Sequence, residues 1–411
     1  VKCPRQVGKT TTAVSYLLWS ILFKDSQSIA VLANRSKTAI GILGKLQLAY
    51  ENLPQWLQQG VVEWNKSRIE LENGSIIIAD STSSAASRSG SFNIVFLDEF
   101  AFVPSNIASE FITSVYPVIT AGTKTKILMV STPNGMNLFY KYWNDAVNKK
   151  NNYVPFEIHW SQVPGRDEEW KEETIKNTSE HQFRQEFETE FLGSTNTLIS
   201  GTKLQQMTYQ QPIAEQEMMK IYKAPIKGEK PHMYGIWVDV SEGKGLDSST
   251  FSVIDLTTMP YEQVATYKSS SISPLLFPTY IYDAARLYND AYVLVEINNT
   301  PQVADILHQD LEYENLWKIF TGNKKPQQLS AGFARGIQMG LKMSTQVKRI
   351  GCSNLKTLIE SNKLIINDFD TISELTTFVA SKSSFAAEED ANDDMVMGLV
   401  MFAWTTTQKY F

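Results

Sequence analysis

Four apolar residues running straight into two acids, Ile94-Val95-Phe96-Leu97-Asp98-Glu99, constrain this chain more than any other stretch. A strand that is apolar on both faces must be covered on both faces, the condition of a parallel sheet held between helices. Such sheets present ligands at the carboxyl ends of their strands, and this strand delivers two carboxylates there. Neighbouring segments repeat the pattern. SIAVLANRS is an apolar strand ending in a polar turn before a helix from about Lys37 to Tyr50, and KILMVSTPNG is another apolar strand with a polar end. RIELENGSIIIAD reads as a hairpin, with Asn73-Gly74 expected to supply the positive φ angles of its turn. With 411 residues, 43% of them hydrophobic and 20% charged, the chain can bury two cores of this kind.

Upstream, CPRQVGKTT matches G-x-x-x-x-G-K-[ST] except that Cys3 replaces the first glycine. The chemistry of that motif lies in what is retained. Gly8 lets the backbone approach phosphate, Lys9 offers charge to the β/γ oxygens, Thr10 can hold Mg2+, and Thr11 continues the loop into a helix whose positive end faces the same phosphates. Paired with the acidic strand end, the loop implies a nucleotide site. Asp98 is expected to hold the metal through water and Glu99 to polarise the attacking water. Arg5 within the loop and Arg88 before the acidic strand are candidate stabilisers of transition-state charge; for Arg88 a simple ion pair is an equal alternative. Ser131, Thr132 and Asn134 end the next strand, where they could sense the γ-phosphate. Only Val1 and Lys2 precede the loop, so the reading expects a chain cut at its start.

Residues 144–194 turn polar and helical, and a linker is expected at 196–230, between a first domain at 1–195 and a second at 231–411. In the second domain Asp239 follows the apolar run YGIWV, Glu296 ends YVLV, and Asp393 and Asp394 open an apolar helix. Hard divalent cations prefer such oxygen ligands, and a pair of them can clamp the attacking and leaving oxygens of a phosphodiester. Each acid taken singly is an ordinary solvated strand end or helix cap. Glu242 and Asp247 are further candidate ligands in the turn after Asp239, where Gly243 and Gly245 permit close approach. Lys324, Lys325, Arg335, Lys342, Lys348 and Arg349, with Gly332, Gly336 and Gly340, form the best basic cluster; a DNA groove and a solvated helix face are equal readings.

Composition narrows little more. No stretch approaches the roughly 18 apolar residues of a membrane helix. Cys3 and Cys352 are too few and too far apart for a disulfide framework, so a reducing cytoplasm is expected. The four histidines lack metal-ligand spacing. The net charge of −6 does not decide nucleic-acid binding, which depends on local patches.

Taken together, RQVGKTT, FLDEFAF, STPNG, VDVSEGKGLD, VEINN and NDDMVMGLVMFAW resemble, in order and spacing over nearly the whole chain, the large terminase subunits of tailed bacteriophages, of the myovirus type. The resemblance implies an α/β fold: a P-loop (ASCE-type) ATPase domain with a mainly parallel sheet, then a ribonuclease H-like α/β nuclease domain. It implies ATP hydrolysis that drives double-stranded DNA into a prohead, and a metal-dependent endonuclease that cuts concatemers. By that likeness Arg5 is the loop arginine, Lys9 and Thr10 bind nucleotide, and Asp98 and Glu99 are the acidic pair. Ser131-Thr132 form the coupling motif, and Asp239, Glu296 and one of Asp393 or Asp394, with a lean to Asp394, form the nuclease triad on Mg2+ or Mn2+, two ions being expected. The implied partners are DNA, the portal of the prohead, a small terminase subunit and further copies in a ring, in the host cytoplasm, with no membrane. Two other readings stay open: a P-loop helicase or repair ATPase with an accessory nuclease, and an inactive remnant that docks on a capsid portal.

Overall fold

The apolar runs become strands wherever helices can cover them on both sides. The computed structural model describes all residues except 83–90, 105–106, 109–110, 114–124, 195, 242–246, 299, 322–326, 331–336, 382–383, 389–390 and 410. Expectations resting on Arg88, Glu242, Gly243, Gly245, Lys324, Lys325, Gly332, Arg335 and Gly336 lie outside the described residues. Two bodies divide the chain, Val1–Leu192 and Gly193–Phe411.

In the first body β1 (Ser28–Ala33), β2 (Val61–Trp64), β3 (Arg68–Leu71), β4 (Ile76–Ser81), β5 (Ile94–Asp98) and β6 (Lys126–Val130) form one sheet in the order β2-β3-β4-β1-β5-β6. The four strands from β4 to β6 are parallel, and β3 and β2 extend the sheet antiparallel. Alternate residues feed two cores. Val31 and Phe96 pack with Leu17 and Leu43 of the two long helices Lys9–Phe23 and Ser36–Glu51, while Leu32 and Leu97 pack with Phe100, Phe111 and Phe139 on the opposite face. All five residues of β5 are buried, so Asp98 is carried to the rim of a covered sheet rather than to open solvent. Val1–Cys3 lie alongside the end of β6, with Cys3 N–H donating to the Ser131 carbonyl at 3.2 Å. β6 and its polar end thus lie between the strand bearing the acids and the segment Val1–Cys3 that leads into the phosphate loop. In the β3–β4 hairpin only Gly74 adopts positive φ, at 75°. Asn73 instead uses its side chain, accepting from Ser75 N–H at 3.0 Å and donating to the Ile21 carbonyl at 2.7 Å, so the expected pair of positive angles is replaced by a side-chain turn.

The second body holds a mixed sheet of β7 (Ala214–Gln216), β8 (Met219–Ile221), β9 (Tyr234–Asp239), β10 (Ser249–Asp255), β11 (Tyr261–Ser269) and β12 (Tyr292–Val295), ordered β12-β9-β10-β11-β8-β7. A small sheet follows, β13 (Lys318–Phe320), β14 (Gln328–Ser330) and β15 (Ile337–Met339), and β16 (Leu364–Ile365) pairs with β11. Only β12 and β16 run parallel to their main-sheet partners. One face of the sheet packs Ile236, Val238 and Val293 on Phe277, Ile281 and Ala284 of helix Phe277–Leu287. The other packs Trp237, Ile254 and Leu294 against helix Asp394–Thr405, whose twelve residues are all buried. Within the segment 196–230, Leu198, Ile199 and Leu204 are buried in this second core and β7 and β8 lengthen its sheet. Their apolar side chains bind them to that body, within the stretch whose lack of strong periodicity reads as a linker.

Candidate functional site

The first site forms where the phosphate loop meets the end of β5. Gly8 caps helix Lys9–Phe23 in the left-handed conformation, φ 80°, which leaves the helix's first N–H groups facing outward without a side-chain cap. Lys9 is folded inward: its Nζ donates to Glu99 Oε1 and lies 4.0 Å from Asp98 Oδ1. Thr10 Oγ1 is 3.4 Å from Asp98 Oδ2. Burial raises the Asp98 carboxyl above its ordinary range, against the pull of Lys9. Glu99 takes the left-handed conformation, φ 52°, uncommon for a side chain with a Cβ, and this strain turns its carboxylate back towards the loop. Ser131 and Thr132 at the end of β6 lie 3.5 and 3.4 Å from Glu99 Oε2. Ser131 Oγ also accepts from Ala101 N–H at 3.1 Å, and the Ala101 carbonyl accepts from Asn134 and Asn137 at 3.3 and 2.6 Å. One continuous polar path therefore leads from Glu99 to the start of helix Leu138–Val147, which Asn137 caps.

The second site forms where β9 and β12 end side by side. Val238 pairs with Val295, so Asp239 and Glu296 are adjacent in parallel register, and Glu296 N–H donates to the Val238 carbonyl at 2.9 Å. The two carboxyls are hydrogen-bonded to each other. Burial, then the neighbouring Glu296, Asp394 and Asp393, pushes Asp239 well above the carboxylate range; burial also raises Glu296, with Lys348 opposing. Asp394, 8% exposed, accepts from Ser248 N–H at 2.9 Å and from Asn392 Nδ2 at 3.3 Å, and burial raises it as well. Asp393 lies 3.7 Å from Lys348 Nζ. Asp239 and Glu296 are thus paired, with Asp393 and Asp394 near enough to raise Asp239; Lys348 opposes at Glu296 and Lys268 at Asp394. The chemistry of these carboxyl oxygens fits a divalent cation, which would offset the burial and mutual repulsion that raise Asp239, Glu296 and Asp394. Among the described residues no three carboxylate, imidazole or thiolate groups are already arranged as ligands.

Two sequence families cover these two bodies. Residues 2–206 match the family described as terminase large subunit, T4likevirus-type, N-terminal, and residues 236–403 match the terminase RNaseH-like domain. The chain belongs to the large terminase subunits. It is 25% identical over 341 residues to the terminase large subunit of Thermus phage G20c and equally to that of Thermus virus P23-45. In each case the match covers 76% of this chain and 61% of the relative, so the chain spans under two thirds of these relatives' length. The HK97 bacteriophage large terminase superposes with a TM-score of 0.52 at 12% identity, covering 98% of this chain and 90% of that one, a likeness of fold.

In this large terminase subunit, Gly8, Lys9, Thr10, Asp98, Glu99, Ser131 and Thr132 come together, as do Asp239, Glu296, Asp393 and Asp394. Thr11 lies on the first turn of the loop helix. Asp247 is exposed but close enough to raise the Asp394 carboxyl. Arg5 is half exposed and pairs with Glu186 at 3.2 Å, with no contact to the acids of β5. Lys348 leaves the basic cluster proposed from the sequence: it sits a quarter exposed at the carboxylates, because helix Thr345–Glu360 turns this side chain inward. Reading along the chain missed Arg166. Its Nη2 donates to the carbonyls of Arg5 at 2.9 Å and Gln6 at 3.3 Å, and its guanidinium lies over Trp170 and Phe187. The Trp-rich polar segment that contains it was a visible signal, since Arg stacked on aromatics is a common clamp.

Proposed function

We propose that this chain is the motor and nuclease of a tailed-phage DNA-packaging machine: ATP hydrolysis in 1–195 drives double-stranded DNA into a prohead, and the body at 231–411 cuts concatemeric DNA, with 196–230 between them. The observation that carries the reading is one polypeptide with two separate acidic centres at sheet ends, one facing a phosphate-loop lysine and the other pairing carboxyls with no phosphate loop. Phosphate binding would draw Lys9 from Glu99, since triphosphate oxygens offer it more charge than one carboxylate. Glu99, released, then polarises the attacking water. Thr10 and Asp98 are the residues that would hold Mg2+, which would supply neutralisation of phosphate charge. Loss of the γ-phosphate returns Lys9 to Glu99 and alters the Ser131–Ala101–Asn137 path. Arg5, held by Glu186 here, supplies transition-state charge once the loop is occupied.

At the second centre Asp239, Glu296 and Asp394, with Asp393 and Asp247 beside them, would hold Mg2+ or Mn2+, as two ions. Glu242 is assigned to the same set from its place in the sequence. The partners of this reading are the portal of the prohead, a small terminase subunit and further copies in a ring, in the host bacterial cytoplasm. Incubating the purified chain with plasmid and Mn2+ tests it. Cutting should be non-specific, vanish in Asp239→Ala and survive Glu99→Ala, which should instead abolish ATP hydrolysis. Cutting unchanged in both variants refutes the assignment.

A further inference from the structure

Helix Asp394–Thr405 starts with an aspartate at its cap position, yet Asp393 makes no side-chain hydrogen bond to the first turn. A helix start leaves several N–H groups without partners, and burying them unpaired is costly. Glu374, twenty residues earlier in sequence, satisfies two of them. Its Oε2 accepts from Met395 N–H at 2.8 Å and Val396 N–H at 3.2 Å, and its Oε1 accepts from Lys268 Nζ at 2.6 Å. Glu374 is 7% exposed, at the end of helix Phe369–Leu375.

The register of three strands explains why Lys268 is there. Asp239 on β9 pairs with Thr250 on β10, which pairs with Lys268 on β11. Asp239, Thr250 and Lys268 therefore form one row across the sheet, continued by Glu296 beside Asp239. Thr250 Oγ1 donates to the Asp394 carbonyl at 3.1 Å, Ser248 N–H to its carboxylate, and Lys268 reaches the start of the same helix through Glu374.

We propose that the Lys268–Glu374 pair is a positioning device of the nuclease: it caps helix Asp394–Thr405 from outside, so that Asp393 and Asp394 keep their carboxylates for the metal centre instead of spending them on the helix. Rested on the nuclease reading above, the inference makes Glu374 a helix cap rather than a ligand. Lys268 neutralises a further buried acid that would otherwise add to the repulsion on Asp394. A local cap by Asp393 would turn its oxygens inward along the helix and remove them from the site.

The test uses the full chain as Glu374→Ala, Glu374→Gln, Lys268→Met and the double variant Lys268→Met/Glu374→Gln, with Asp239→Ala as the reference for the site. Three quantities are measured: Mn2+ binding by the paramagnetic resonance signal of the free ion, plasmid cutting against Mn2+ concentration, and hydrogen exchange of the peptide covering Met395–Leu399. Glu374→Ala should weaken Mn2+ binding about tenfold or more and raise the cutting midpoint equally, the usual cost of losing a residue that orients metal ligands. Exchange at the helix start should quicken. Glu374→Gln should lose less, because its amide oxygen still accepts from the helix. The double variant should do no worse than Glu374→Gln, which leaves the Lys268 ammonium unpaired, and Lys268→Met alone, which leaves the carboxylate unpaired, should be worse than the double. If Glu374→Ala does not fold, the Gln and Met variants carry the same comparison. Wild-type Mn2+ binding and exchange in the folded variants, with cutting lost in Asp239→Ala, overturns the positioning role alone. Cutting that persists in Asp239→Ala overturns the nuclease reading and this inference with it.

Discussion

Helix Asp394–Thr405 is held to the sheet on one side and to helix Thr345–Glu360 on the other, and two glycines at these contacts make opposite predictions. A methyl group added at Gly351 would lie 2.4 Å from the Val400 carbonyl oxygen and 2.7 Å from Val400 Cγ1. Restoring ordinary contact means parting the two helices by about 1 Å, and the obstacle is main chain that cannot rotate away. Overpacking of this kind costs about 1–3 kcal/mol, against which alanine in a helix recovers up to about 1 kcal/mol over glycine. Gly351→Ala should therefore destabilise the second body by about 1–2 kcal/mol, lowering its melting temperature by roughly 2–8 °C. At Gly398 the added methyl meets the Trp237 carbonyl at 3.5 Å, an ordinary contact. There only the helix gain of up to about 1 kcal/mol remains, so Gly398→Ala should be neutral or stabilising. Scanning calorimetry measures both shifts, and ATP hydrolysis reports the first body as an internal control. Because the displaced helix carries Asp393 and Asp394, Gly351→Ala should also weaken Mn2+-dependent cutting. A Gly351→Ala chain melting within 1 °C of wild type on the ~2 °C lower bound, or a Gly398→Ala chain destabilised as much, refutes the packing argument.

Three further outcomes follow. Asp239 is raised by burial and by its acidic neighbours, so the fold holds its proton more tightly than the unfolded chain does, and stability is lost as pH rises from the unfolded value of about 4 through the raised one. Asp239→Asn should accordingly melt higher than wild type at pH 7.5 in chelator, with the gain shrinking towards pH 4; a pH-independent difference would exclude the mechanism. Arg166→Ala removes two charged hydrogen bonds to the Arg5 and Gln6 carbonyls, and should raise the KM for ATP about tenfold or more with a smaller change in kcat; an unchanged KM shows that the loop is held without it. Neutralising Lys342 and Arg349 should flatten the salt dependence of DNA binding by roughly one unit per lost phosphate contact, and an unchanged slope removes them from the DNA surface.

Much of both sites was legible because their residues sit at boundaries that local pattern marks. Asp98-Glu99 follow a four-residue apolar run, Glu296 ends another, and Asp393-Asp394 precede a helix apolar all round. Glycine, lysine and threonine in the loop carry their chemistry in their identities. Residues with no such boundary were missed or misplaced. Lys348 reads as a surface base, since a lysine on a helix is usually solvated, and no local pattern marks Glu374 or Lys268.

What the sequence determined by itself was which segments must be covered, where they stop, and which reactive side chains stand at the stops, for burial and helix termination are settled among near neighbours. Only the tertiary structure decided that Asp239, Thr250 and Lys268 form one row, that Glu374 caps a helix twenty residues away, and that Arg166 reaches back to the phosphate loop. Those facts depend on the register of strands and helices distant in the chain. Such register is chosen by the collective packing of two cores, a quantity that no single stretch of residues contains.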